Sequence, residues 1–179
     1  MKQSTRARIT LRTADASEAK KLHALIQANR EEGHLLPRTL DELTIHVDRF
    51  VVAVKARRII GCAELAPLSA RVAEVRSLAV AGQARGSRVG VMIVDELRRR
   101  ARRDGFEKLC AFTHAPGYFI HMGFSIVPHL WLTEKIFTDC VKCPHFQQCG
   151  QYAMVVPVDV AFDADRGYGL PAAAGAPLA

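Results

Sequence analysis

Aromatic residues are scarce: one tryptophan, three tyrosines and eight phenylalanines make up 7% of the chain. They do not interleave with the basic residues, which removes the base-stacking platform of a single-stranded nucleic-acid binder. No nucleic-acid partner is expected. No run approaches the roughly 20 apolar residues of a membrane span, so no membrane is expected either. The opening stretch, MKQSTRARITLR, is basic but lacks the apolar core of an export signal. The expected location is therefore cytoplasmic. The chain has no internal repeat.

What is present is ordinary for a globular protein. The 179 residues are 49% hydrophobic and 24% charged, enough for one domain with a real core. One domain over 1–162 and a loose Gly/Ala/Pro-rich tail over 163–179 (DADRGYGLPAAAGAPLA ends the chain) are expected. The formal charge is +7, and five arginines (Arg98, Arg99, Arg100, Arg102 and Arg103) stand together. Ile93, Val94, Leu97 and Ala101 form the apolar stripe of the same helix, so most of these arginines should face solvent. Cations near a helix C-terminus also suit its dipole.

Periodicity predicts a strand at 8–12, then a helix with Asp15 as N-cap and Glu18 three residues on. Leu22, Leu25 and Ile26 supply its buried face. Thr39 and Glu42 form a second capping box. FVVAVK and IIGCAEL read as a hairpin about Ala56, Arg57 and Arg58. VAEVRSLAV is a further strand, followed by a long helix closed by Gly105 and by the strand EKLCAF. A short helix near 117–122 leads to Gly123-Phe124, then to SIVPHLWL and YAMVVPV. The order implies a mixed α/β sheet with helices on its faces.

The stretch LAVAGQARGSRVGVMIVDEL joins a strand to a helix through a loop of Gly, Ser and Arg. Helical N–H groups and the positive helix end converge there, which suits an anion. No Gly-Lys-Ser/Thr follows and no GxGxxG is present, which excludes the commonest nucleotide loops. The stretch resembles the pyrophosphate-binding motif Q/R-x-x-G-x-G/A of the GNAT N-acetyltransferase superfamily. Arg85 takes the first position and Gly90 the last, while Arg88 stands where the middle glycine is expected. The amide survives that change, and so should cofactor binding if the backbone there needs no positive φ. A GF preceded by a short helix, YFIHMGF, follows in the expected order.

The resemblance spans roughly 8–158. It implies the GNAT fold, a mostly antiparallel twisted sheet with a splay between central strands, and acetyl-CoA as co-substrate. It assigns the cofactor to Leu78, Ala79, Val80, Arg85, Gly86, Ser87, Arg88, Val89 and Gly90, with an oxyanion met by strand amides near Leu78 to Val80.

Within the superfamily, GHLLPRTLDEL, AEVRSLAV, FTHAPGYFIHMGF and LTEKIFTDCVKCPHFQQC are similar to the short bacterial N-acetylglutamate synthases. L-glutamate is then the expected acceptor, with Arg38, Arg76 and Lys135 as the cations that hold it. Each also has a plainer reading, as a surface residue, an ion-pair partner of Glu74, and a solvated lysine. Strand alternation puts Glu74, Arg76 and Leu78 on one face. Glu74 is the expected general base, with an ion pair to Arg76 as the rival role. For the acid that protonates the departing thiolate the resemblance gives no residue: Phe119 stands where many relatives have tyrosine. Thr113 and Tyr118 are the candidates, and His114 could line the acceptor site. Acetyl transfer to another small amine or a protein amine is an alternative, as is a metal- or thiol-responsive sensor on the same fold.

Cys62 and Cys110 lie in apolar strands and are expected in the core. Cys140, Cys143 and Cys149 stand at C-x2-C-x5-C spacing around His145. A structural zinc would need four ligands, and no second C-x2-C pair is present. Thiols that brace the Lys135 segment, a zinc site and a disulfide all remain open. The oligomeric state is not legible, and a homodimer is one option.

Overall fold

The computed structural model of the chain describes residues 8–31 and 35–159. In chain order the elements are β1 (Thr10–Thr13), α1 (Ala19–Glu31), α2 (Leu40–Ile45), β2 (Phe50–Lys55), β3 (Arg58–Pro67) and β4 (Val72–Val80). They continue with α3 (Val89–Arg103), β5 (Lys108–Thr113), α4 (Pro116–Ile120), β6 (Ser125–Val127), α5 (Thr133–Thr138) and β7 (Tyr152–Pro157). Helix α5 is not among the elements expected from the sequence. The proposed tail at 163–179 lies outside the described residues.

Local chemistry sets the helix starts. The Asp15 carboxylate accepts from Ser17 N–H, while Glu18 reaches back to Asp15 N–H at 2.8 Å. Thr39 and Glu42 make the same reciprocal pair at the head of α2. Each cap is worth about 1 kcal/mol. At the other end of α3, Gly105 adopts a φ of 86°, the left-handed turn that stops the helix. The β2–β3 hairpin closes on Ala56 and Arg57, both at positive φ, the twist a two-residue hairpin turn requires.

The strands form one sheet in the order β1-β2-β3-β4-β5-β7-β6. All neighbours are antiparallel except β4 and β5. That parallel pair makes contact only through Val72, Ala73 and Glu74 against Lys108, Leu109 and Cys110. Beyond Glu74 the two strands part, although β4 runs on to Val80 and β5 to Thr113. This is the expected splay.

The sheet faces are covered differently. On one, Ile93, Val94, Leu97 and Ala101 of α3 and Phe119 of α4 join residues from β2, β3, β4, β5 and β7 in a continuous apolar layer. On the other, the cover is split. Leu22, Ile26 and Leu43 of α1 and α2 pack on Val52, Cys62 and Ala79. Leu132, just before α5, packs on Val72, Cys110 and Ala153. Fully buried side chains such as Leu22, Leu43 and Leu132 each contribute about 1.5–3 kcal/mol. Between these two clusters the sheet carries charged side chains instead.

Arg98 departs from the solvated arginine cluster expected of α3. It is 5% exposed, donates to Met122 O at 2.6 Å and lies over the Phe124 ring at 5.8 Å. It ties α3 to the turn that carries α4.

Candidate active site

A bulge on β4 shapes the centre of the molecule. Glu64 on β3 faces Arg76 and Cys62 faces Ala79, so β4 spends one residue more than its partner over this interval. Ser77 absorbs the extra residue at a φ of 55°. A one-residue insertion reverses side-chain alternation. Glu74 and Arg76 therefore point to the divided face, but Leu78 and Val80 pack toward the α3 layer. The expectation that Leu78 shares a face with Glu74 and Arg76 is corrected by this bulge.

Beyond the bulge, Ala81 N–H donates to Ile60 O on β3 at 2.9 Å. Alternation turns the amides of Leu78 and Val80 the other way, into the splay. They edge a cleft of ≈ 550 Å³ lined by Leu78, Val80, Gly86, Arg88, Gly90, Thr113, His114 and Tyr118, among others. At its base the first bond within α3 runs from Met92 N–H to Arg88 O. The N–H groups of Val89, Gly90 and Val91 thus have no acceptor inside the helix and converge on the cleft.

The loop residues divide their work. Gly86 (φ 75°) and Arg88 (φ 62°) are both left-handed, on either side of Ser87. Ser87 Oγ donates to Ala84 O, which closes the turn. Arg85 is a brace: Nε donates to Val80 O at 3.3 Å and Nη2 to Asn29 Oδ1 at 3.1 Å, tying loop, strand and α1 together. The condition placed on Arg88, that its backbone need no positive φ, is not met. A non-glycine residue there costs about 1 kcal/mol. Arg88→Gly should therefore raise unfolding free energy by about 1 kcal/mol in urea titration, with coenzyme A affinity kept or improved. A loss of stability would show that the Arg88 side chain outweighs its strained backbone.

Thr113 Oγ1 accepts from Ala115 N–H at 3.0 Å and orders the loop after β5. Tyr118 brings its hydroxyl against Gly90, so close that a Cβ on Gly90 would lie 2.1 Å from it. Burial pushes the Tyr118 phenol up to about 12, and it carries its proton at neutral pH. Phe119 is buried in the apolar layer, where a hydroxyl would have to find a partner.

On the divided face the three expected acceptor cations do come together, each already holding a carboxylate. Lys135 Nζ donates to both Glu74 oxygens at 2.8 Å and to Asp139 Oδ2 at 2.7 Å. Arg76 reaches Glu74 Oε2 through Nε (3.0 Å) and Nη2 (2.6 Å), and Asp139 Oδ2 at 2.5 Å. Arg38 Nη1 bonds Glu64 Oε2 at 2.9 Å and Ser77 Oγ at 3.0 Å. Both Glu74 oxygens are thus engaged, so the ion-pair reading of Glu74 and Arg76 describes this arrangement. Burial opposes the charge on Arg76, but Glu74 and Asp139 more than restore it, and its pKa stays above the ordinary arginine value.

Glu64, Ser77 and Asp139 belong to this site and were not foreseen. Glu64 carried a signal: one acid within the apolar run IIGCAELAP demands a buried partner, and its side chain is 1% exposed.

The cysteine cluster is looser than a metal centre. Among the described residues no group of three or more His, Cys, Asp or Glu side chains is placed to hold a metal ion. Cys149 Sγ lies 4.0 Å from His129 Nε2, and burial raises the Cys140 thiol. Structural zinc finds no support there. Cys62 and Cys110 are buried as expected, the former pushed up to about 12 by burial. No helix among the described residues is long and apolar enough to cross a membrane.

Known proteins share this design. Residues 19–124 match the acetyltransferase (GNAT) family. The chain is 28% identical over 145 residues to an uncharacterised N-acetyltransferase of Chlorobaculum tepidum, covering 81% of this chain and 94% of that one. It is 32% identical over 102 residues to an amino-acid acetyltransferase of Pectobacterium carotovorum, but spans only 23% of that protein's length and 56% of its own. The fold matches N-acetylglutamate synthase from Neisseria gonorrhoeae, solved with coenzyme A and N-acetyl-glutamate, at TM-score 0.77 and 25% identity over 85% of this chain and 35% of that one. A Mycobacterium tuberculosis protein solved with coenzyme A matches in fold at TM-score 0.71 and 21% identity, over 83% and 98% of the two chains. Splayed strands, an amide-lined loop at the head of α3 and a family match over more than half its length place this chain in the acetyltransferase (GNAT) family, as an N-acetyltransferase.

Proposed function

We propose that the protein transfers acetyl from acetyl-CoA to the α-amine of L-glutamate by direct attack in a ternary complex. The observation that carries this reading is the meeting of Arg38, Arg76 and Lys135 on the divided face, beside the point where β4 leaves β5. An acidic amino acid needs cations there, and a neutral amine does not. The synthase from Neisseria gonorrhoeae, solved with N-acetyl-glutamate, supports the same acceptor.

The amides of Val89, Gly90 and Val91 would receive the cofactor's pyrophosphate, and those of Leu78 and Val80 its pantetheine and the developing oxyanion. The acceptor nitrogen, once deprotonated, attacks the thioester carbon; the C–S bond then breaks and the thiolate takes up a proton. Tyr118 is the better placed donor, since its hydroxyl lies against Gly90 at the head of α3. Glu74 would draw the ammonium proton through water, with Arg76 and Lys135 fixing its orientation.

Acetyl-CoA turnover on glutamate, aspartate, glutamine, other amino acids and a lysine peptide tests the assignment. Glutamate should be preferred, and Glu74→Gln should lower kcat on it by about 10²-fold or more. Preference for the peptide or for a neutral amine would replace the glutamate reading. No turnover with any acceptor, despite coenzyme A binding, would favour a sensor.

A further inference from the structure

Charge on the divided face is balanced before an acceptor arrives. Arg38, Arg76 and Lys135 are matched by Glu64, Glu74 and Asp139. Glu42 adds only a 3.6 Å approach to Arg38 Nε from solvent, its side chain 54% exposed. An amino acid with two carboxylates and one ammonium carries a net negative charge, and this network offers it no surplus cation.

The three carboxylates differ in how they are held. Glu64 and Glu74 project from central strands, with side chains 1% and 5% exposed. Asp139 sits at the C-cap of the six-residue α5, ahead of a short 3-10 turn, and is 34% exposed. One of its oxygens, Oδ2, takes bonds from both Arg76 and Lys135. A substrate carboxylate gripping those cations would take the same position. Burial alone would raise the Asp139 pKa, but the Lys135 hydrogen bond and the charges of Lys135, Arg76 and Arg38 bring it below the usual value. At neutral pH it is an anion competing for the place of an anion.

We propose, on the reading that the acceptor is an anionic amino acid, that Asp139 is an exchangeable counter-ion. Its carboxylate holds Arg76 and Lys135 when no acceptor is bound and yields them to the acceptor's carboxylate. It thereby sets the preference between anionic and neutral acceptors. Exchange leaves neither half-buried cation uncompensated, which a site with bare cations could not avoid. A net-neutral acceptor such as glutamine lacks the side-chain carboxylate that would take the place of Asp139, so its binding depends less on the exchange. Asp139 is a positioning residue in this scheme, acting through Arg76 and Lys135.

The test is Asp139→Asn, which keeps an acceptor oxygen but removes the charge, with Asp139→Glu as the conservative control. KM for glutamate should fall about tenfold in the Asn variant, with kcat and the acetyl-CoA KM little changed. KM for glutamine should change less, so the glutamate-to-glutamine preference widens, and the Glu variant should return it toward wild type. Glutarate, which has no amine to acetylate, should bind the Asn variant more tightly by calorimetry. In wild type, the 13C signal of the Asp139 carboxyl should move toward that of a solvated aspartate as glutarate saturates the site, a readout that survives even if the variants fold poorly. An unchanged or raised glutamate KM in a folded Asn variant, or an unmoved carboxyl signal on glutarate saturation, overturns the exchange role alone where wild type acetylates glutamate. If wild type neither acetylates an anionic amino acid nor binds glutarate, the glutamate reading falls and the exchange with it.

Discussion

Gly90→Glu should weaken coenzyme A binding by about tenfold or more while leaving the fold intact. Gly90 is the second residue of α3 and faces the cleft beside Val80 and Tyr118. A Cβ there displaces the Tyr118 hydroxyl, which is the far end of a partly exposed side chain and can move. The added carboxylate then lies at a helix N-terminus, where a negative charge is stabilised by about 0.3–1 kcal/mol. It occupies the anion site from within, so stability is spared and affinity is not. Calorimetry with coenzyme A reads the first effect and thermal unfolding the second. Gly90→Ala separates bulk from charge: it moves Tyr118 without supplying an anion, and should cost far less. Equal coenzyme A affinity in Gly90→Glu and wild type would remove the head of α3 from the cofactor site.

Arg38→Ala should be the most destabilising single change on the divided face. Arg38 is 11% exposed in its side chain and its partner Glu64 1%. Truncation strands a buried carboxylate, which costs about 3–5 kcal/mol. It also frees the hydroxyl of Ser77, the residue that holds the β4 bulge at positive φ. Arg38→Ala with Glu64→Gln should recover most of that loss, since the uncompensated charge is gone, and urea titration of the four proteins forms the cycle. A cost below about 1 kcal/mol would be that of an exposed pair and would contradict the buried geometry. In the double variant, where the fold is largely restored, a raised glutamate KM with an unchanged acetyl-CoA KM would isolate any grip of Arg38 on the acceptor.

Much of the fold was legible because its signals are local. Both capping boxes, the hairpin about Ala56 and Arg57, the Gly105 stop and the strand-loop-helix of the cofactor site are each made by residues that are near neighbours in sequence. The candidate site was legible in composition but not in pairing. Lys135 and Glu74 are 61 positions apart, and Arg38 and Glu64 are 26; no spacing rule links them. The bulge gave no sign because its left-handed residue is Ser77, where a glycine would have marked it. Arg98 is a different failure. It stands four residues after Val94 and three before Ala101, on the buried stripe of α3, so periodicity did place it inside. Its neighbours in the arginine run concealed that.

The division of apolar cover on one sheet face has an evolutionary reach. The cofactor cleft rests on one continuous layer, in which a change in Leu97 or Phe119 is felt from β2 to β7. The charged ground proposed for the acceptor instead lies between two separate clusters, one carried by α1 and α2 and one by the segment around Leu132. Mutations in the Leu132 segment can reshape that ground without touching the layer under the cofactor cleft, whereas α1 is tied to the cofactor loop through Asn29 and Arg85. The Leu132 segment is therefore where such a chain can change most while its coenzyme A site is kept.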